Sequence, residues 1–218
     1  IKKLPLYVPW DSALLVTTQG ALRRGFVRQI IDALPSARVT VYDGVRSEPQ
    51  LSDLEMATEL LSKDRYDGIL ALGGGSSIDT AKVLSYNLSA NDGSLRDHFE
   101  HGGPLASSGL LPVVAIPTTA GTGSEVTPFA TVWDGQGGKK YSLALPDLHP
   151  QVALLDPELT IGAPRDISLT TGLDALSQGL ESMWSRSATP LTKDVAAQSV
   201  NLSLRCLPRL LETPNDIN

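Results

Sequence analysis

Three features of the 218-residue sequence predict an α/β domain built on a parallel sheet, followed by the start of an all-helical domain. Short apolar runs alternate with stretches of helical periodicity in the first half of the chain, and this alternation is typical of a parallel sheet covered by helices. A glycine-rich turn joins one apolar run to the next helix, as in folds that bind a phosphate group at the carboxyl edge of the sheet. From Pro164 onward the helical stretches follow one another without an intervening strand pattern.

The first half of the chain predicts three strands, each followed by a helix. Strands are expected where aliphatic and β-branched residues run together, and helices where apolar residues recur at every third or fourth position. Ser52 or Asp53 is expected to cap the second helix. The strands are predicted at residues 13–17, 38–42 and 67–72, and the helices at residues 21–34, 51–63 and 76–89.

The second half of the chain predicts a change of architecture. Its first part continues the sheet and adds an antiparallel hairpin, whereas its last part is helical. We therefore expect an α/β domain over residues 1–163 and an all-helical domain over residues 164–218. The helical domain is expected to be truncated, because the chain contains only its first helices. The predicted elements are a polar loop at 91–110, a strand at 111–116, a hairpin of 127–133 and 140–145, a strand at 151–156, and helices at 164–184 and 190–211.

The composition limits the classes of function. The chain has a net charge of −6 and no basic tract, so nucleic-acid binding is not expected. No apolar stretch reaches the roughly 20 residues of a membrane-spanning helix, and no signal-peptide core follows Ile1, so no membrane partner is expected. The single cysteine, Cys206, excludes an internal disulfide and predicts a cytoplasmic protein. Because Cys206 lies in a helical apolar stripe, we expect its thiol to be buried.

The segment Leu70–Lys82 carries the strongest functional signal, because an apolar strand there runs into three glycines, two serines and a helix. Glycine lets a backbone approach a ligand closely, and a helix start offers unpaired N–H groups and the positive end of the helix dipole. Gly74, Gly75 and Ser76 are therefore predicted to hold a pyrophosphate, so a dinucleotide is the first ligand to expect. An ordinary strand-to-helix turn is the alternative, because the segment matches neither common glycine motif for nucleotides.

Four segments occur in a distinctive order: Gly73–Asp79, Pro117–Thr127, the pair Lys139–Lys140 after a hairpin turn, and Thr171–Glu181. Together they resemble the iron-containing (group III metal-dependent) alcohol dehydrogenases over essentially the whole chain. The resemblance implies a Rossmann-like, dehydroquinate synthase-like nucleotide-binding domain, a helical domain for metal and substrate, and a site between them. It implies an NAD(P)-dependent oxidoreductase that transfers a hydride between nicotinamide and a small alcohol or aldehyde, assembled as a homo-oligomer such as a dimer.

The resemblance assigns two carboxylates to cofactor binding. It places Asp79 near the nicotinamide side of the cofactor, and the alternative is an ordinary charge in the first turn of a helix. It places Asp43 beside the adenosine ribose, where a carboxylate accepts hydrogen bonds from the ribose hydroxyls and repels a 2′-phosphate. Asp43 therefore favours NAD over NADP, with an ordinary Asp-Gly turn as the alternative.

Hydroxyl and ammonium groups complete the expected cofactor contacts. Thr118, Thr119 and Thr122 follow the fourth predicted strand, and their hydroxyls can bond adenine, ribose or phosphate oxygens. A threonine-rich turn is the alternative. Lys140 is expected to reach a ribose or phosphate oxygen, whereas Lys139 is equally well explained as a solvated charge at a strand end.

The metal site is where this sequence departs from the family pattern. In the family, an aspartate, a histidine four residues later on the same helix, and two downstream histidines hold the metal. Asp174 stands at the aspartate position, but Gln178 replaces the histidine, and an amide oxygen is a weaker ligand for Fe²⁺ or Zn²⁺ than imidazole. Two interpretations stay open. In the first, Asp174, further histidines after Asn218 and Gln178 as a weaker ligand bind a divalent metal with lowered affinity. In the second, the site is metal-free and relies on hydrogen bonds from Gln178 and other groups. The histidines present are expected in exposed loops outside this motif: His98, His101 and His149.

The substrate rests on a narrower likeness, and no general acid stands out. Thr127–Asp134 and Glu181–Ser185 resemble the phosphonate-associated branch, which implies phosphonoacetaldehyde as a substrate and requires cationic contacts. A non-catalytic dinucleotide-binding module is one alternative, because a metal histidine is missing. A dehydroquinate synthase-type cyclase is another, although the run Pro117–Thr127 argues against it.

Overall fold

The chain forms two compact units in a computed structural model that describes residues 1–89, 95–103, 105 and 109–214. The first unit contains residues 1–117 and 124–155, and the second contains residues 118–123 together with the chain from Asp156. The main division therefore falls after Leu155, where the prediction has it after residue 163. The short segment 118–123 joins the helical unit although it directly follows a strand of the first unit.

The first unit is built on five strands: β1 (Ser12–Val16), β2 (Arg38–Tyr42), β3 (Gly68–Gly73), β4 (Val113–Pro117) and β7 (Val152–Ala153). They form one sheet in the order β2-β1-β3-β4-β7, and every pairing in it is parallel, which confirms the predicted fold class. All of β3 is buried, as expected for the central strand of a parallel sheet. β7 pairs over two residues only, so the predicted strand at 151–156 is much shorter in the structure.

The predicted helix at residues 21–34 is in fact two helices, α1 (Gln19–Arg23) and α2 (Phe26–Ala33). Gly25 separates them with a φ of 77°, a left-handed conformation that a continuous right-handed helix does not contain. The apolar periodicity of the sequence continues across the break, and both helices carry buried apolar residues, Ala21 on α1 and Phe26, Val27 and Ile30 on α2. Periodicity alone therefore predicted one helix.

Two longer helices follow β2 and β3: α3 (Leu51–Leu61) and α4 (Gly75–Ser89). The prediction that Ser52 or Asp53 caps α3 is wrong, because both residues lie inside its first turn and Gln50 precedes the helix without a side-chain cap. The carboxylate of Asp53 favours the helix dipole from that position.

An antiparallel hairpin of β5 (Phe129–Asp134) and β6 (Lys139–Ala144) confirms the predicted one and encloses α4 from the side opposite the sheet. Ile78 and Leu84 of α4 pack in a core cluster with the sheet residues, whereas Val83 packs in a second cluster with hairpin residues. Because α4 has apolar neighbours on two sides, nine of its residues are buried.

A short helix, α5 (Leu95–His101), lies inside the region predicted as a loop over 91–110. Phe99 of α5 stacks on Tyr141 of β6 with ring centroids 4.6 Å apart. This contact joins residues distant in sequence, so local periodicity could not reveal it. The expectation that His98 and His101 lie in loops is wrong for the same reason, since both are on α5. Residues 91–94, 104 and 106–108 of the predicted loop lie outside the described residues.

The second unit contains α6 (Arg165–Trp184) and α7 (Pro190–Glu212), which confirm the two predicted helices. They approach closely at Gly172, where a Cβ would lie 2.5 Å from a methyl carbon of Leu207. Only a glycine permits this packing without displacement of the leucine. No helix in the described part of the chain has the length and apolar character needed to cross a membrane.

Candidate functional site

The turn predicted to hold a pyrophosphate lies at the carboxyl end of the central strand β3. Gly73 has a φ of 150°, and a Cβ there would lie 2.2 Å from Ser77 Oγ, so glycine is required. Gly74, Gly75 and Ser76 follow as half-buried residues, and α4 begins at Gly75. The first N–H groups of a helix have no partner inside it and carry the positive end of the dipole. The turn therefore presents N–H donors where parallel sheets bind ligands.

The side chain of Ser76 is committed to a contact within the protein. Its Oγ donates a hydrogen bond to the carbonyl oxygen of Ser47 at 2.5 Å, which ties the turn to the segment that follows β2. A hydroxyl has one proton to donate. The backbone N–H of Ser76, rather than its side chain, is therefore the donor that remains for an anion at this turn.

Asp43 directly follows β2 and is held by the first residue of α1. The Nε2 atom of Gln19 donates to Asp43 Oδ2 at 2.5 Å, and the half-buried carboxylate is thereby oriented. Each carboxylate oxygen has two lone pairs, so the group retains capacity to accept hydrogen bonds from hydroxyls. The contact with Gln19 was not predicted, because it depends on how α1 sits beside the end of β2.

Asp79 joins α4 to the segment that leads into the hairpin. Its Oδ1 accepts a hydrogen bond from Ser124 Oγ at 2.5 Å, and its Oδ2 accepts one from the N–H of Thr131 at 2.9 Å. Burial raises the pKa of Asp79, and these two hydrogen bonds oppose that rise. Asp79 is therefore more than a surface charge in the first turn of a helix.

Lys82 lies one turn further along α4 and is fully buried. Its Nζ donates to the carbonyl oxygens of Ser124, Thr127 and Phe129, each at 2.7 Å. Burial lowers the pKa of Lys82 to about 8. Lys82 was not among the predicted site residues. The signal that could have found it is a lysine within an apolar helical stretch, where an ammonium must find acceptors.

Lys140 lies on β6 opposite Trp133 of β5, and both lysines of the Lys139–Lys140 pair are exposed. The Nζ atom of Lys140 is 5.2 Å from the centroid of the Trp133 ring, within the range of a cation–π interaction. Its charge also lowers the pKa of Asp79 as a minor influence beside burial. Lys140 therefore adds an exposed positive charge to the hairpin, and this charge acts on Asp79.

The second unit contains a cavity of about 260 Å³ that Thr118 and Thr119 line. Its walls are mainly apolar side chains of α6 and α7, such as Ile167 and Leu207, with a few hydroxyl groups. Cys206 also lines this cavity and is exposed, so the prediction of a buried thiol is wrong. The apolar stripe that carries Cys206 faces a cavity rather than a closed core.

A second cavity of the same unit, of about 490 Å³, is lined by Thr122 and Gln178 together with the hydroxyl residues Ser182, Thr192 and Ser199. Thr122 is itself exposed. The predicted threonines therefore divide between two cavities of the helical unit, Thr118 and Thr119 at one and Thr122 at the other.

Asp174 and Gln178 lie one turn apart on α6, as their spacing predicts, with Asp174 half-buried and Gln178 exposed. All three histidines belong to the first unit, and the described residues contain no group of three or more His, Cys, Asp or Glu side chains arranged for a metal. Resident Fe²⁺ and Zn²⁺ take at least three protein ligands and favour nitrogen or sulfur donors. One carboxylate and one amide do not fit such an ion, so no chemical step is assigned to a metal.

Comparison with known proteins supports the resemblance drawn from the four segments. The iron-containing alcohol dehydrogenase family model matches residues 1–157. The chain is 32% identical over 211 residues to the choline dehydrogenase of Bacillus subtilis, with 95% of this chain and 52% of that protein covered. It is 32% identical over 208 residues to the NAD-dependent methanol dehydrogenase of Bacillus methanolicus, with 94% and 54% covered.

A solved structure agrees with these sequence matches. The sulfoacetaldehyde reductase of Bifidobacterium kashiwanohense, in complex with NAD⁺, has a TM-score of 0.91 and 31% identity to this chain, with 99% of this chain and 57% of that one covered. The chain thus spans about half the length of the relatives it matches. The family match includes the glycine turn, the threonine segment and the hairpin lysines. The chain belongs to the iron-containing alcohol dehydrogenase family.

Proposed function

We propose that this chain is part of an NAD(H)-dependent oxidoreductase that transfers a hydride between nicotinamide and a small alcohol or aldehyde. The turn after β3 is the observation that carries the proposal, because Gly73 adopts a glycine conformation there and α4 begins at half-buried Gly75 and Ser76. Such a helix start stabilises the negative charge of a pyrophosphate. The relatives include an NAD-dependent methanol dehydrogenase and a reductase solved with NAD⁺, which supports the choice of cofactor.

Each proposed contact follows from the chemistry of the side chain. The N–H groups of Gly75 and Ser76, beside Gly74, bind pyrophosphate oxygens. Asp43 accepts hydrogen bonds from the hydroxyls of the adenosine ribose and repels a 2′-phosphate, so NAD(H) is preferred to NADP(H). Lys140 donates to a ribose or phosphate oxygen.

The remaining contacts concern the adenine and nicotinamide ends. The hydroxyls of Thr118, Thr119 and Thr122 are proposed to bond adenine, ribose or phosphate groups, and the apolar cavity beside Thr118 and Thr119 suits a flat ring. Asp79 is proposed to lie nearest the nicotinamide. Bound NAD(H) supplies the hydride acceptor or donor, and the protein binds and orients it.

The substrate is proposed as a chemical class, together with a cellular location and an oligomeric state. Small alcohols and aldehydes are the expected substrates, because the relatives act on compounds of this kind by name, including methanol and sulfoacetaldehyde. Phosphonoacetaldehyde is the more specific candidate and shares an anionic group next to an aldehyde with sulfoacetaldehyde. A cytoplasmic location and a homo-oligomeric state complete the proposal.

An NADH titration followed by a turnover assay tests this function. Binding is measured by the change in NADH fluorescence, and turnover by NADH oxidation with uncharged aldehydes, phosphonoacetaldehyde and sulfoacetaldehyde in parallel. Binding together with aldehyde-dependent oxidation is the expected result. Oxidation of NADH with phosphonoacetaldehyde or sulfoacetaldehyde, but not with the uncharged aldehydes, would indicate that the substrate is an anionic aldehyde. Absence of NADH binding would overturn the proposal.

A non-catalytic dinucleotide-binding module is the second candidate, favoured by Gln178 at the position where the family has a metal-binding histidine. It predicts NADH binding without oxidation by any aldehyde of the panel, even when Fe²⁺ or Zn²⁺ is supplied. The same two measurements therefore separate the candidates.

A further inference from the structure

We propose that Lys82 is a positioning residue of the cofactor site, whose ammonium group holds the segment 124–129 by three carbonyl oxygens and thereby fixes one end of the loop 118–123. The inference rests on the proposed NAD(H) function, because that loop carries Thr118, Thr119 and Thr122. It adds a role for a residue to which neither the sequence motifs nor the expected cofactor contacts gave one.

The geometry of the ammonium group supports this role. Its three N–H groups match three carbonyl acceptors at 2.7 Å, those of Ser124, Thr127 and Phe129. Lys82 is fully buried, and a buried charge persists only where it is paired and hydrogen-bonded. The side chain therefore holds this segment mainly through its backbone, with longer contacts to the hydroxyl oxygens of Ser124 at 3.2 Å and Thr127 at 3.5 Å.

Asp79 secures the same segment from the preceding turn of α4. It accepts one hydrogen bond from Ser124 Oγ and one from the N–H of Thr131, so the two charged residues hold both ends of the stretch 124–131. The charged groups that act on Lys82 are Asp79 on its own helix and Glu125 on the held segment. Lys140 of the hairpin acts in turn on Asp79.

The connection to the cofactor site runs along the chain. The loop 118–123 is flanked by Pro117 and Ser124, and both flanking residues belong to the first unit. Pro117 is fixed by the sheet, where it pairs in register with Gly73 of the pyrophosphate turn. Ser124 is fixed by Lys82 and Asp79. One helix, α4, therefore supplies the pyrophosphate donors with its first residues and anchors the threonine loop with the residues that follow.

The protonation state of Lys82 makes this role measurable. Burial lowers its pKa to about 8, so the ammonium loses a proton at moderately alkaline pH. A neutral amine has two N–H groups for three carbonyls and no charge to strengthen them. A motion that releases the carbonyls while Lys82 stays buried leaves the ammonium without acceptors, and a neutral amine avoids this cost. Unlike unfolding, which exposes Lys82, this local motion of the segment should therefore become easier, and the affinity for NADH should fall, as the pH rises through this value.

Two measurements on the full chain test the inference, with Lys82→Met as the variant and Lys63→Met, at an exposed lysine, as the matched control. The first is hydrogen–deuterium exchange without cofactor, corrected for the intrinsic pH dependence of exchange. Lys82→Met should speed exchange of the amides in residues 118–131 by about tenfold, equivalent to about 1.4 kcal/mol of local opening. Exchange in the β1 and β3 amides, and in the control throughout, should match the wild type.

The second measurement is the dissociation constant of NADH from below to above the Lys82 pKa of about 8. The wild type and the control should bind about tenfold more weakly at the alkaline end, and Lys82→Met should bind weakly with no such step. If Lys82→Met fails to fold, the exchange of the amides in residues 118–131 of the wild type is measured across the same pH range instead. This exchange should become faster above the Lys82 pKa of about 8.

The outcomes separate this inference from the function on which it rests. NADH binding that is indifferent to pH and to Lys82→Met, or unchanged exchange of residues 118–131, would overturn the role of Lys82 alone. A wild type that binds no NADH at any pH would overturn the proposed function, and the positioning role would fall with it.

Discussion

At the scale of single residues, neighbouring glycines of one turn have different tasks. Gly73 has a positive φ and no room for a Cβ, so it is required by the fold itself. Gly75 has no positive φ and starts α4, so a side chain there is compatible with the backbone. The role proposed for Gly75 is close approach to a pyrophosphate, and only a substitution at Gly75 isolates it.

We expect Gly75→Val to weaken NADH binding by more than about tenfold, or about 1.4 kcal/mol, because the added side chain occupies the space of the phosphate oxygens. The fold should persist, since the helical conformation tolerates valine at a small cost. The measurement is an NADH fluorescence titration together with a thermal melt.

Ser52→Val is the matched control, because it places the same residue in the exposed first turn of α3. It should leave the NADH dissociation constant unchanged. Equal affinities of Gly75→Val and the wild type would mean that the turn does not hold the pyrophosphate.

Asp43 is expected to select the cofactor. Replacement of Asp43 by Ala removes acceptors for the ribose hydroxyls and the repulsion of a 2′-phosphate, so the ratio of NADPH to NADH affinity should rise by about tenfold or more. Asp43→Asn should shift this ratio in the same direction, because it removes the charge and keeps the size. The two dissociation constants are measured by titration.

Gln19→Ala tests whether orientation of the carboxylate matters separately from its charge. It removes the amide that donates to Asp43 Oδ2 and leaves the charge in place, so NADH should bind somewhat more weakly with little change in preference. If Asp43→Ala leaves the ratio of affinities unchanged, Asp43 serves only the turn after β2.

Some features of single residues could be predicted from the sequence, and others could not. The structure confirms that the glycine turn of Gly73, Gly74 and Gly75 joins β3 to α4, as the local pattern predicted, and its role in binding a pyrophosphate stays a prediction. The contacts of Lys82 and Asp79 could not be predicted, because they depend on a segment more than forty residues away in the chain. A charged residue inside an apolar helix predicts that acceptors exist but does not say where they are.

At the scale of elements, the sequence predicted those that local patterns specify. The parallel strands β1 to β4 and the helices α6 and α7 follow from apolar periodicity and were found at nearly the predicted bounds, whereas β7 is much shorter than predicted. The break at Gly25 and the helix α5 were missed. In the first case periodicity continues through a change of backbone direction, and in the second the helix is held by stacking of Phe99 on Tyr141.

The helix α6 carries a prediction about metal binding. With one carboxylate at Asp174 and an amide at Gln178, we expect weak binding of Zn²⁺, because an amide oxygen is a poorer ligand than imidazole. Gln178→His should tighten Zn²⁺ binding by about tenfold or more, or about 1.4 kcal/mol, and Asp174→Ala in addition should abolish the gain. Isothermal titration calorimetry measures the affinities directly.

Thr192→His is the control for this metal experiment. It adds an imidazole near the start of α7, in the same cavity as Gln178, without the one-turn spacing from Asp174. A similar gain from Thr192→His would show that any added imidazole suffices. Stoichiometric metal in the purified parent protein would contradict weak binding and favour the metal-dependent interpretation.

At the scale of the whole molecule, the burial of α4 links stability to ligand binding. The alternation of strands and helices predicted a parallel sheet, but it did not reveal that the hairpin encloses α4 from the other side. That enclosure buries Lys82 and gives a titrating group to the centre of the first unit. The titration of Lys82 should therefore affect the stability of the whole protein as well as the mobility of the segment 118–131.

The free energy of unfolding should rise with pH between about 8 and 10.5, since burial lowers the pKa of Lys82 to about 8 and an exposed lysine of the unfolded chain titrates near 10.5. Between these values the unfolded chain binds more protons than the folded chain, so higher pH favours the folded state by up to about 1.4 kcal/mol per pH unit. Urea denaturation at successive pH values measures the effect.

Comparison with Lys82→Met removes the contribution of every other titrating group. The difference in unfolding free energy, wild type minus variant, should be constant below the Lys82 pKa of about 8 and grow above it, whereas Lys63→Met should track the wild type. A difference that stays constant or shrinks would mean that Lys82 is not titrating from a buried position. Global stability should thus increase over the same range in which the segment 118–131 loosens. Uniform softening of the protein at alkaline pH could not produce opposite changes in these two quantities.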